Sequence, residues 1–116
     1  MEKKSFYLYS LGCAKNTVDS NVLAQILTHS GFQFEINPKK ARFLIVNTCG
    51  FIKPARDKAV ESLNELQAIR KPNQFLLAVG CMAEKYADEI RERCPGVDGI
   101  LGTRSLQKIM SLVQSQ

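Results

Sequence analysis

Residues 42–50 read RFLIVNTCG. Phe43, Leu44, Ile45 and Val46 form an apolar run with no polar alternation, and a run of that kind belongs to a strand covered on both faces, as in a parallel sheet. A second such run, QFLLAVG, occupies 74–80. Between them Pro54 suits a first helical turn, and Ala55, Ala59, Val60, Leu63 and Leu66 make one apolar helical stripe. Strand, helix and strand in that order make a βαβ unit, the building block of an α/β layered domain.

The pattern extends in both directions. SFYLYS (5–10) reads as a strand, and Val18, Val22, Leu23, Ile26 and Leu27 mark a helical face that Gly31 can end. FQFEI (32–36) reads as a second short strand at a sheet edge. On the carboxyl side, Ala83, Tyr86, Ala87 and Ile90 predict a single helix closed by CPG. VDGIL (97–101) is a fifth strand, and Thr103 can cap a last helix carrying Leu106, Ile109, Met110 and Val113. The expected fold is α/β, a doubly wound, mainly parallel five-stranded sheet flanked by helices. The link between the second and third strands is too short for a helical crossover.

The chain has 116 residues, 45% hydrophobic and 23% charged, which is one domain able to bury a core without staples. No stretch has membrane-spanning length, and the amino-terminal apolar run is too short for a signal peptide, so a cytoplasmic location is expected. Four cysteines in that compartment are buried residues or ligands rather than structural disulfides. The net charge of +5 favours an anionic partner such as RNA, against the plainer reading of a basic solvated surface. KKAR (39–42) is the densest basic group.

Three of the cysteines recur in one kind of place. LGC follows the first strand, NTCG the third and VGC the fourth, giving Cys13, Cys49 and Cys81, each beside a glycine. In open parallel sheets ligands bind outside the carboxyl ends of the strands. A sheet ordered 2-1-3-4-5 would set these three ends side by side, about 4.8 Å apart. Zinc is disfavoured by the absence of a C-x-x-C pair and by a single histidine, His29, late on the first helix. Iron–sulfur clusters take cysteine thiolates, and three ligands would leave one iron open. The plainer reading is three small residues at tight turns. A flavin- or partner-binding module is a further alternative, although SLGCAKNT is a poor phosphate cradle. Lys15, Asn16 and Thr17 are read as a solvated cation and helix caps, Asn47 and Thr48 as hydrogen-bonding turn residues, Met82 as packing, and Phe51 and Ile52 as shielding or core. Cys94, in RERCPGV, follows a helix and is read as incidental.

SLGCAKNTVDS (10–20), VNTCGFI (46–52) and VGCMAEKY (79–86) together resemble the amino-terminal domain of the radical-SAM methylthiotransferases. Those enzymes add methylthio groups to tRNA adenosines or to a ribosomal protein. The resemblance covers nearly all of residues 1–116 and implies a flavodoxin-like fold. The form GCAKN resembles the branch that modifies an aspartate of a small-subunit ribosomal protein, whereas the tRNA branch more often reads GCQMN. It implies that Cys13, Cys49 and Cys81 hold an auxiliary 4Fe–4S cluster whose open iron carries the transferred sulfur or methylated sulfur. It implies no catalytic side chain in this domain. S-adenosylmethionine and a second 4Fe–4S cluster would belong to a radical-SAM domain, which is followed in the family by a small RNA-binding-type barrel. Neither is among these 116 residues, so the sequence looks like a piece of a longer enzyme, without turnover by itself. The remaining domains and a small-subunit ribosomal protein, or alternatively tRNA, are the implied partners. Where the family pattern reads DSE, this chain has Asp19, Ser20 and Asn21.

Overall fold

The computed structural model describes residues 4–11, 14–48, 52–102, 108, 109 and 111, with the side chains of 14–19 left out. Its elements are β1 (Ser5–Ser10), α1 (Ala14–His29), β2 (Gln33–Phe34), β3 (Phe43–Thr48), α2 (Lys53–Ile69), β4 (Phe75–Gly80), α3 (Cys81–Lys85), α4 (Ala87–Arg93) and β5 (Gly99–Leu101). The strands form one sheet in the order β2-β1-β3-β4-β5, and every pairing is parallel. This is the doubly wound, flavodoxin-like arrangement expected from the sequence.

The apolar runs of β3 and β4 have the predicted cause. Leu44, Val46, Leu76 and Ala78 face α2, α3 and α4, burying Ala59, Val60, Leu63, Leu66, Met82 and Ile90. The alternate residues Phe43, Ile45, Leu77 and Val79 face the other way, against Leu23 and Leu27 of α1 and against Ile109. Burying a Leu or Ile side chain contributes roughly 1.5–3 kcal/mol, so these two layers dominate the stability. Val22, expected on the buried face of α1, is exposed instead. The last helix predicted from Thr103 lies mostly outside the described residues, although Ile109 is fully buried. Among the described residues no helix is long and apolar enough to cross a membrane.

The short β2–β3 link is explained by register. β2 pairs only with Ser5 and Phe6, the first residues of β1, so the chain never climbs to the far end of the sheet before returning to start β3. Residues 35–42 therefore cross β1 without a helix. Gln74 supplies partners that a helix would have supplied, its Nε2 donating to the carbonyls of Pro38 (2.7 Å) and Ala41 (2.6 Å). Without a covering helix, Tyr7 and Tyr9 of β1 floor an open cleft of about 330 Å³, walled by Pro38 and by Ser62, Glu65 and Ile69 of α2. Burial there pushes the Tyr7 phenol above its ordinary pKa, and neighbouring Tyr9 adds to this.

The predicted third helix is two helices broken at Tyr86, whose φ of −126° and ψ of 37° are not helical. The Arg56 guanidinium of α2 lies 4.3 Å above the Tyr86 ring at this break. Ion pairs join α2 to α4, Arg56 to Glu89 at 3.2 Å and Arg93 to Asp57 at 2.9 Å, and Arg93 also pairs with Glu89 of its own helix at 2.7 Å. Hydrogen bonds from Lys53 and Arg93 lower the Asp57 pKa, and one from Arg93 lowers that of Glu89. A carboxylate whose pKa is lower in the folded chain adds stability above its unfolded value, near 4, and loses it as the pH falls through the folded value. The melting temperature should therefore fall as the pH drops from about 5 to about 3. Arg93→Gln should flatten part of that fall, and parallel wild-type and variant curves would show the network to be inert.

Candidate functional site

The carboxyl edge of the sheet is level where β1, β3 and β4 meet. Ser10 pairs with Asn47, Asn47 with Val79, and Thr48 with Gly80, so three adjacent strands stop within one residue of one another. In sequence, Cys13 separates the end of β1 from the start of α1, and Cys49 directly follows the last residue of β3. Both lie outside the described residues. Cys81 is described: it is the first residue of α3, immediately after β4, and its free thiol is half-buried.

The backbone under Cys81 is closely determined. Gly80 has φ 103° and ψ −164°, a region essentially confined to glycine. A Cβ on Gly80 would stand 2.5 Å from the Thr48 carbonyl oxygen and would collide with Asn47 Oδ1. Gly80 therefore lets β4 turn into α3 within one residue while lying flat against the end of β3. It has no side chain to cap α3, and Thr48 acts for it from the next strand. Thr48 Oγ1 donates to the Val79 carbonyl at 2.7 Å and accepts the Ala83 N–H at 3.3 Å, which ties β3, β4 and α3 together. Beside it, the buried Asn47 Nδ2 donates to Ser20 Oγ of α1 at 2.9 Å. Asn47 and Thr48 thus do more than close a turn, since they bind the helices on both faces to the end of β3.

Other expectations fare differently. Asn16 and Thr17 fall inside α1, which begins at Ala14, so neither is its cap. Met82 is fully buried in the core, whereas Ile52 is 65% exposed and does not pack into it. Asn21 and His29 are exposed on α1. Cys94 is fully buried, and its Sγ donates to Gln67 Oε1 at 3.0 Å. Burial pushes its thiol pKa up. It also lies toward the other end of the sheet. The Val97 N–H donates to the Cys94 carbonyl, and Asp98 then bonds the backbone of Leu76, near the start of β4. From Leu76 to Gly80 a strand spans roughly 13 Å.

Among the described residues no three metal-binding side chains come together. The donor that is described fits an iron–sulfur ligand in kind: a thiol with open surface, on a backbone braced by three elements, at the strand ends where α/β sheets bind ligands. Thr48 bonds to backbone as expected, but sequence reasoning missed which groups it joins, and missed the Gln74 contacts, because the partners are distant in the chain and leave no local pattern.

Comparison with known proteins gives a consistent picture. The chain is 44% identical over 108 residues to the ribosomal protein uS12 methylthiotransferase RimO of Herpetosiphon aurantiacus, covering 93% of this chain and 23% of that protein. It is 38% identical over 109 residues to the RimO of Anaeromyxobacter sp., covering 92% and 23%. It is 36% identical over 117 residues to that of Syntrophotalea carbinolica, covering 99% and 26%. The chain spans about a quarter of the length of these relatives. With residues 5–102 matching its model, the chain belongs to the uncharacterized protein family UPF0004.

Proposed function

We propose that this chain is the auxiliary-cluster domain of a ribosomal protein uS12 methylthiotransferase, with Cys13, Cys49 and Cys81 as the three ligands of a 4Fe–4S cluster. The observation that carries the reading is the level edge formed by β1, β3 and β4, because each proposed ligand follows one of those strands in sequence. The names of the relatives support the reaction and the substrate protein. When bound, a cluster with three thiolate ligands supplies an open iron that can hold the sulfur to be transferred. The chain's own residues provide the mount. Gly80 and Thr48 fix the start of α3 against β3, and Asn47 holds α1 to the same strand end. Ligands on a braced edge keep their spacing as the bound group changes charge. The radical-SAM chemistry, S-adenosylmethionine and its own cluster belong to the other domains of the proposed enzyme, which act in the cytoplasm.

Anaerobic purification tests this directly. The protein should be brown and carry about four irons with matching acid-labile sulfide per chain. Colourless protein with stoichiometric zinc, or yellow protein with flavin, would replace this reading with a structural zinc module or a flavin module.

A further inference from the structure

The opposite, amino end of the sheet collects positive charge. Lys4 stands just before β1, Lys39, Lys40 and Arg42 just before β3, and Lys71 in the turn before β4. β1, β3 and β4 are neighbours, so these side chains start from one row along the sheet edge. Among the described residues none of the five has a carboxylate partner, whereas on the helices Lys53, Arg56, Arg91 and Arg93 are ion-paired and Lys58 stands alone. Among the residues whose side chains are described, every carboxylate except Glu35 and Asp98 lies on α2, α3 or α4. Those two are engaged locally, Glu35 with the Asn37 N–H and Asp98 with Arg70 and the Leu76 N–H.

The backbone under this row is fixed. The Arg42 N–H donates to Ser5 Oγ at 2.9 Å, and Gln74 holds the Pro38 and Ala41 carbonyls. Aromatic rings lie along it: the Arg42 guanidinium sits 4.9 Å over Phe75, and Phe34 on the edge strand is 56% exposed. A row of unpaired cations with an exposed ring beside it is the combination that tracks a phosphate backbone while offering a stacking face. An acidic protein surface would use the cations but has no matching need for the ring.

We propose that the amino end of the sheet is an RNA-binding edge that contacts the phosphate backbone of single-stranded RNA without sequence preference. It lies at the other end of the strands from Cys81 and shares no residue with the proposed cluster site.

The test uses the 116-residue chain, a fluorescent single-stranded oligoribonucleotide and a labelled poly-glutamate, with anisotropy read across a range of salt concentrations. Lys39, Lys40 and Lys71 are exposed, so the triple variant Lys39→Gln/Lys40→Gln/Lys71→Gln should keep its fold by circular dichroism. It should bind RNA about tenfold or more weakly, and the slope of log affinity against log salt should shrink by about 2. Lys58→Gln, on exposed α2 surface, should bind as the wild type does. An unchanged salt slope in the folded triple variant would overturn the proposal, as would preference for poly-glutamate over RNA, which would make the edge a dock for an acidic protein.

Discussion

Cys13→Ala, Cys49→Ala and Cys81→Ala should each lose most of the bound iron after anaerobic reconstitution with iron and sulfide, while Cys94→Ser should keep the wild-type amount. Thiolate–iron bonds hold a cluster cooperatively, so a site with only three protein ligands has none to spare. Cys94 is a bystander in this scheme. It is buried beside Gln67, toward the end of β4 away from Cys81, and burial pushes its thiol pKa up. Serine keeps the donor to Gln67 Oε1 and nearly the same volume, so this control separates loss of a ligand from loss of the fold. Cys94→Ala would remove that hydrogen bond and leave a small cavity, costing about 1–2 kcal/mol of stability but no iron. Iron and labile sulfide are counted directly, and circular dichroism confirms that each variant is folded. Loss of the cluster from folded Cys94→Ser would mean four protein ligands and no open iron, and the sulfur-carrying role would have to be given up.

The sheet was legible because both of its central strands are covered on two faces. FLIV in β3 and FLLAV in β4 have no polar alternation, and only a parallel sheet between helical layers asks for that. α2 was legible from its stripe, since Ala59, Val60, Leu63 and Leu66 are all buried as spaced. The break at Tyr86 was not, because Ala83, Tyr86, Ala87 and Ile90 keep an unbroken helical period. The Tyr86 ring at the break lies under the guanidinium of Arg56, thirty residues earlier in the chain, a contact that leaves no local pattern. The helix-free β2–β3 link was visible as a short distance, yet its explanation lies in a register of two residue pairs and in Gln74, neither of which local sequence encodes. The candidate site divides in the same way. Chain order put Cys13, Cys49 and Cys81 behind strands, but only the pairing of Ser10 with Asn47 and of Thr48 with Gly80 makes those strand ends level.

Gly80→Ala should be among the most damaging single substitutions in the chain, and Gly31→Ala, at a similar φ, should be much milder. Both glycines have positive φ, 103° and 93°. A methyl group on Gly31 would meet nothing within 4 Å, so its cost is backbone strain alone, about 1 kcal/mol. At Gly80 the same strain is joined by a steric conflict with the Thr48 carbonyl and the Asn47 side chain. Neither neighbour can yield freely. Thr48 is held by the β3–β4 pairing and by its bonds to Val79 and Ala83, and Asn47 is buried and tied to Ser20. The combined cost should be about 3 kcal/mol or more, which lowers the melting temperature of a domain this size by about 10 °C or more. Relief by moving β4 away from β3 would shift the start of α3 and Cys81 with it. Gly80→Ala should therefore also bind less iron than Gly31→Ala when both are assayed well below their melting temperatures. Equal melting temperatures for the two variants would show that the strand ends can separate at little cost, and the braced edge on which the cluster reading rests would lose its rigidity.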